Sequence, residues 1–198
     1  MIRSSVVHRL ERFQDIDTDP TGELILSAFV CAGVIDRQLV YVSTPITTGA
    51  LSIEFASDAS QHRSQAEVIR ANIAGAKDVT ERARSAFPNQ LIIEPTSLHD
   101  VAAYEQSDYH RLWCALIERY AKVVVFNEGW QYSTGCAAEF ATAALSGVRI
   151  LDHHLNNMPI PDAVRLLDEA VSRLEQSGRS VETHESVLSA VRAQTVSG

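Results

Sequence analysis

Four short apolar runs constrain this chain more than any other feature: Leu39-Val40-Tyr41-Val42, Leu91-Ile92-Ile93, Val123-Val124-Val125-Phe126 and Val148-Arg149-Ile150-Leu151. They are brief, rich in β-branched residues and bounded by polar or Gly- and Pro-bearing stretches, so they read as buried strands. Helix-length segments separate them. From about Arg63 to Phe87, the residues Ala66, Ile69, Ile73, Ala76, Val79, Ala83 and Phe87 recur at three- and four-residue steps and make a core-facing stripe. Pro88-Asn89 ends that helix. Asp108 to Tyr120 places Leu112, Leu116 and Tyr120 on one side. An Ala-rich helix runs from Gly135 to Ser146-Gly147, where glycine suits the left-handed closing position. Pro161 opens a further helix, with Val164, Leu167, Val171 and Leu174 inward and Gly178 beyond its end. Residues 181–195 are expected to add one more.

Strands alternating with helices imply βαβ units and right-handed crossovers. The expected fold is therefore α/β: an open parallel sheet of four to five strands with helices on both faces, of the Rossmann or flavodoxin type. Its core spans residues 39–178. Residues 1–38 read as an N-terminal appendage and 179–198 as a C-terminal helix or tail. The 198 residues suffice for one domain with a sizeable core. Within the appendage, Ile2, Val6, Leu10 and Phe13 have helical spacing. Asp15 to Gly22 alternates aspartates as calcium loops do, but its glycine comes late and Leu26 stands where a closing Glu is required. A solvated acidic turn is the better reading, and no metal is expected. Residues 22–34 fit helix or strand equally. Residues 50–61 and 96–107 read as polar loops, the first of them mobile.

Charge and cysteine content narrow the function. A net charge of −8 without a basic run argues against binding a nucleic-acid polymer. Cys31, Cys114 and Cys136 have neither disulfide nor metal-ligand spacing, which fits reduced thiols. The first residues lack the apolar segment of a signal peptide, and no apolar run approaches the roughly 18 residues a membrane helix needs. The expectation is a cytoplasmic protein that acts on a small molecule, without a membrane partner.

The chemistry gathers around residues 129–144. A turn, Gly129-Trp130-Gln131-Tyr132, joins the third strand to the Ala-rich helix, and open α/β sheets bind ligands at such strand-to-helix junctions. Glu139 lies about one turn inside that helix. Near the positive end of the helix dipole it is expected to stay ionised, and an ionised carboxylate can attack an anomeric carbon or stabilise the cation that forms there. The plainer role is to complement the dipole. Ala137, Ala138, Ala141 and Ala143 are small and leave room for a ligand. Ser133 and Gly135 at the helix mouth offer a hydroxyl and backbone amides to an anion, or simply cap the helix. At the first strand, Ser43-Thr44-Pro45-Ile46-Thr47-Thr48-Gly49 puts hydroxyls and amides at a strand C-terminus. Cys136 is a second, weaker nucleophile candidate. Trp130 and Tyr132 can stack on a base or pack in the turn. His153-His154 reads as a surface pair. No glycine-rich phosphate-loop or dinucleotide motif is present.

Ser133-x-Gly135-x-x-x-Glu139, set between a buried strand and an Ala-rich helix, resembles the signature of the nucleoside 2-deoxyribosyltransferase superfamily, nearest its nucleoside 5′-monophosphate N-glycosidases. The resemblance covers about residues 39–152. It implies that Glu139 is the nucleophile on C1′ of the sugar and that Tyr41 orients it. Ser133 and Gly135 would hold the phosphate, and Ser43, Thr44, Pro45, Ile46 and Thr47 would wrap the sugar and phosphate. Serine in place of the Asp of the transferases avoids setting like charge against phosphate. Two positions depart from the pattern. Thr47 stands where some of the hydrolases carry Arg. Trp113 or Cys114 stands where the family has an Asp, and Asp108, the nearest acid, serves only if the register shifts. The implied activity is hydrolysis of a nucleoside or deoxynucleoside 5′-monophosphate, with base exchange between nucleosides and a non-catalytic nucleotide sensor as alternatives. No cofactor is implied, and a homodimer is expected.

Overall fold

The computed structural model describes residues 20–31, 38–50, 53, 65–97 and 104–195. The helix expected over 2–13, and most of the loops expected at 50–61 and 96–107, lie outside these residues. Four strands form one parallel sheet: β1 (Leu39–Ser43), β2 (Leu91–Ile93), β3 (Ala121–Phe126) and β4 (Arg149–Leu151). Their order is β2-β1-β3-β4, with Val42 paired to Val125 and Ser43 to Phe126 across the central pair. All five residues of β1 are buried, as a strand covered on both faces requires.

The strand period of two divides the core. Val40, Val42, Val123 and Val125 meet Val79 and Ala83 of α2 (Gln65–Ala86) on one face. Leu39, Tyr41, Val124 and Phe126 point to the other, into the larger cluster. That second face carries α1 (Pro20–Cys31), α3 (Gln106–Tyr120), α4 (Thr134–Leu145), α5 (Ile160–Gln176) and α6 (Glu182–Thr195). The division follows from crossover handedness. The chain moves one way from β1 to β2 and the other way from β2 to β4, so right-handed connections place α2 opposite α3 and α4.

Of the stretch 22–34, ambiguous in sequence, residues 22–31 enter α1, whose first turn holds Pro20, while residues 32–34 and most of the acidic turn expected at 15–22 lie outside the described residues. Leu26 of α1 is 1% exposed within the same cluster as the sheet, and Arg119 of α3 pairs with Glu23 at 2.9 Å. At the other end of the chain, α6 lays Val187, Leu188 and Val191 into that cluster. Each such aliphatic side chain contributes about 1.5–3 kcal/mol by burial. The inward stripe of α5 is shifted by one residue from the expected one at two places: Ala163 and Ala170 are buried beside Leu167 and Leu174, while Val164 and Val171 are half-buried.

Candidate active site

In a 2-1-3-4 sheet the chain leaves β1 and β3 in opposite directions, and a crevice opens above their C-terminal ends. Glu139 projects from α4 into that crevice. Tyr41 and Ser43, two apart on β1, face the same side of the sheet as α4. The Tyr41 hydroxyl donates to Glu139 Oε1 at 2.6 Å, and the Ser43 hydroxyl donates to Oε2 at 2.5 Å. Both carboxylate oxygens are thus fixed by donors from one rigid strand. Trp113 of α3 packs beside Tyr41, with ring centroids 6.0 Å apart.

Glu139 is 5% exposed, and burial pushes its pKa up to about 7, against the lowering pull of the Ser43 and Tyr41 hydrogen bonds. This corrects the expectation of a dipole-held anion. Glu139 is the sixth residue of α4, a full turn past the N-terminal amides, and the dipole's influence fades within the first turn. Burial also pushes the Tyr41 phenol well above its ordinary value, with Glu139 adding to the effect. Cys136, the other candidate nucleophile, is pushed up to about 12 by burial and by the Glu139 charge, so its thiol stays protonated. Cys114 reaches about 12 for the same reasons.

A cavity of about 260 Å³ adjoins the carboxylate. Thr44, Ile46 and Thr47 form one wall, Ser133 and Gly135 the helix mouth, and Gln106, Tyr109, His110 and Trp113 of α3 the opposite wall. Glu139 and Cys136 line it too. Ser133 caps α4, its Oγ accepting from the Cys136 amide at 3.4 Å. The absence of a side chain at Gly135 lets His110 lie close, since a Cβ there would stand 2.9 Å from His110 Nε2 and the ring would have to shift. Asn72 of α2 ties down the 44–49 loop by donating to the carbonyls of Ile46 at 3.0 Å and Thr48 at 2.8 Å. Asn127 N–H donates to Ser43 O at 2.9 Å, carrying the β1–β3 pairing to the end of β1.

Most of the expected residues therefore meet at one place, and four assignments change. Ser43 is fully buried, and its hydroxyl is spent on Glu139 instead of being free for a ligand. Pro45 is buried and does not line the cavity. Trp130 is 3% exposed, with centroids 4.8 Å from Phe126 and 5.0 Å from Phe140, because the turn at Trp130–Tyr132 folds its ring back over the end of β3. Asp108 serves the start of α3: it accepts from the Glu105 amide at 2.9 Å and from Arg111, and these bonds hold its carboxyl below the usual range. The alanines also act differently from the expectation. Ala137, Ala141 and Ala143 are wholly buried and allow α4 to approach its neighbours closely.

The residues that sequence reasoning missed lie on α3. Gln106, Tyr109, His110 and Trp113 follow the i, i+3, i+4, i+7 pattern of one helix face, and its polar and aromatic mixture was the available signal. His153 and His154 stack on each other at 3.9 Å. No metal-binding cluster of His, Cys, Asp or Glu occurs among the described residues, and no described helix is long and apolar enough to cross a membrane. Compared with protein-family models, characterised proteins and solved structures, the chain matches none.

Proposed function

We propose that this protein cleaves the N-glycosidic bond of a nucleoside or deoxynucleoside 5′-monophosphate, with Glu139 as the nucleophile. The observation that carries the reading is the carboxylate itself, buried beside a cavity at the sheet's switch point, with each oxygen held by a donor from β1. Burial strips water from the carboxylate, and Tyr41 and Ser43 fix the direction of its lone pairs. Glu139 attacks C1′, the C1′–N bond breaks with its electron pair passing to the base, and a glycosyl ester forms. Water then attacks C1′, the bond to Glu139 breaks, and the sugar phosphate and the free carboxylate are released, the water's second proton passing to the departed base. Ser133 and the first amides of α4 suit the phosphate, and the aromatic wall of Tyr109 and Trp113 suits the base or sugar faces. Among the described residues no second carboxylate lines the cavity, so the role that the resemblance assigns to an Asp is not filled by Asp108.

The reading places the protein in cytoplasmic nucleotide metabolism, as a homodimer that sedimentation would detect. The direct test is base release from a panel of nucleoside and deoxynucleoside 5′-monophosphates, followed by mass spectrometry. Glu139→Gln should abolish it, and turnover that survives the substitution rejects the mechanism. Adding a free acceptor base separates hydrolysis from exchange, because only exchange yields a new nucleoside.

A further inference from the structure

We propose that His110 is the counter-ion of the substrate's phosphate, taking up a proton from solvent as the nucleotide binds and so selecting phosphorylated over unphosphorylated nucleosides. The inference rests on the glycosidase reading of the same cavity. It starts from a charge imbalance. No Lys or Arg lines the cavity among the described residues, and Glu139 is its one carboxylate. A phosphate dianion entering this partly desolvated space needs a cation. Among the described residues, His110 is the one lining side chain that can become cationic.

Its position suits that part. His110 Nε2 lies 2.9 Å from where a Cβ on Gly135 would stand, so the imidazole sits directly on the first turn of α4. There the amides of Thr134 and Gly135 have no acceptor within the helix. A second observation points to a ligand at this mouth. Thr44 lines the cavity at 5% exposure, and its Oγ1 has no hydrogen-bond partner among the described residues. An oxyanion at the helix mouth would supply both the missing acceptor and a partner for His110.

The surroundings leave the imidazole neutral until a ligand arrives. Burial alone holds its pKa below the usual value, and no neighbouring charge or hydrogen bond shifts it. On its own helix, Asp108 is bonded to Arg111 and the Glu105 amide, and Tyr109 and Cys114 are near neighbours in sequence. From α4, Cys136 and Glu139 line the same cavity, and from β1 the Tyr41 hydroxyl is bonded to Glu139. From the segment after β2, Glu94 is bonded to the Thr96 amide and hydroxyl. A phosphate, carrying nearly two negative charges above its second pKa of about 6, would raise the imidazole's affinity for a proton.

The experiment is calorimetric titration of the Glu139→Gln protein, which cannot turn over, with the common 2′-deoxynucleoside 5′-monophosphates at pH 7.5. Buffers of different ionisation enthalpy report the proton count. The expected result is uptake approaching about one proton per nucleotide bound. Adding His110→Gln, or the smaller His110→Asn, should remove the uptake and weaken binding about 10- to 100-fold. With Glu139 restored, the ratio of kcat/KM for nucleotide over nucleoside should fall by a similar factor. Uptake that persists without His110 overturns the proposal. So does an unchanged ratio with both substrates slowed alike, which would assign the imidazole to the departing base. The glycosidase reading fails separately, on absence of base release by the unmodified protein.

Discussion

Replacing Glu139 by Gln should stabilise the fold at alkaline pH while abolishing turnover. A group whose pKa is raised on folding holds its proton more tightly in the folded state. Glu139 goes from 4.5 to about 7. Below about pH 4.5 it is neutral in both folded and unfolded chains, and the fold bears no cost. As pH rises from there through 7, the unfolded chain releases the proton first and stability falls. At about 1.4 kcal/mol per unit, the full displacement is about 3 kcal/mol above pH 8. Gln keeps the shape, accepts from Tyr41, and carries no charge, so it escapes that loss. Urea denaturation at pH 5 and pH 8.5 is the assay. The Gln variant should gain about 2–3 kcal/mol relative to the parent between the two conditions, equivalent to roughly 5–10 °C in Tm for a chain of this size. A stability difference that is the same at both pH values would mean that the folded carboxylate is not desolvated, and the reasoning about its reactivity would fall with it.

The remaining predictions follow the same geometry. In the proposed reaction kcat/KM for an unphosphorylated nucleoside, whose binding needs no proton on His110, should rise with pH through about 7 as Glu139 ionises. Tyr41→Phe removes the donor to Oε1; it should lower kcat about 10- to 100-fold and move the pH midpoint upward, since that bond holds the carboxyl down. Gly129 has φ +75 and a Cβ there would meet Ala50 N at 2.9 Å, whereas Gly147, at φ +66, has nothing within 4 Å. Both changes to Ala carry the left-handed penalty of about 1–2 kcal/mol, and chemical denaturation should find Gly129→Ala the more damaging. His184 is wholly buried in α6, with Nε2 against Gln131 O at 3.0 Å, and burial keeps its pKa below the usual value. Protonation is thus resisted in the folded state. Stability should be complete above pH 6.5 and fall as pH drops below it, and His184→Gln should flatten that slope in a series of melts.

How much was legible in the sequence divides along physical lines. The apolar runs and helix stripes are local signals, and each of the four strands and the helices after them could be placed from burial periodicity and end chemistry alone. The Ser133–Glu139 spacing was legible for the same reason, because cap and carboxylate share one helix. Ser43 and Trp130 were misassigned because a side chain's orientation depends on what packs against it: Ser43 meets a carboxylate 96 residues away, and Trp130 is sandwiched by Phe126 and Phe140. Asp108 was displaced because its own helix start claims it.

The sequence by itself determined an α/β chain with a parallel sheet, a carboxylate on the helix after the third strand, and hydroxyl-bearing turns at two strand ends. Such features are written in neighbours along the chain, where periodicity and capping act. Only the tertiary structure decided that Glu139 is desolvated and pulled toward neutrality, that Tyr41 and Ser43 each grip one of its oxygens, and that α3 presents His110 to the first turn of α4. Desolvation and convergence are properties of a packed interior. They arise when segments distant in sequence exclude water from the same small volume.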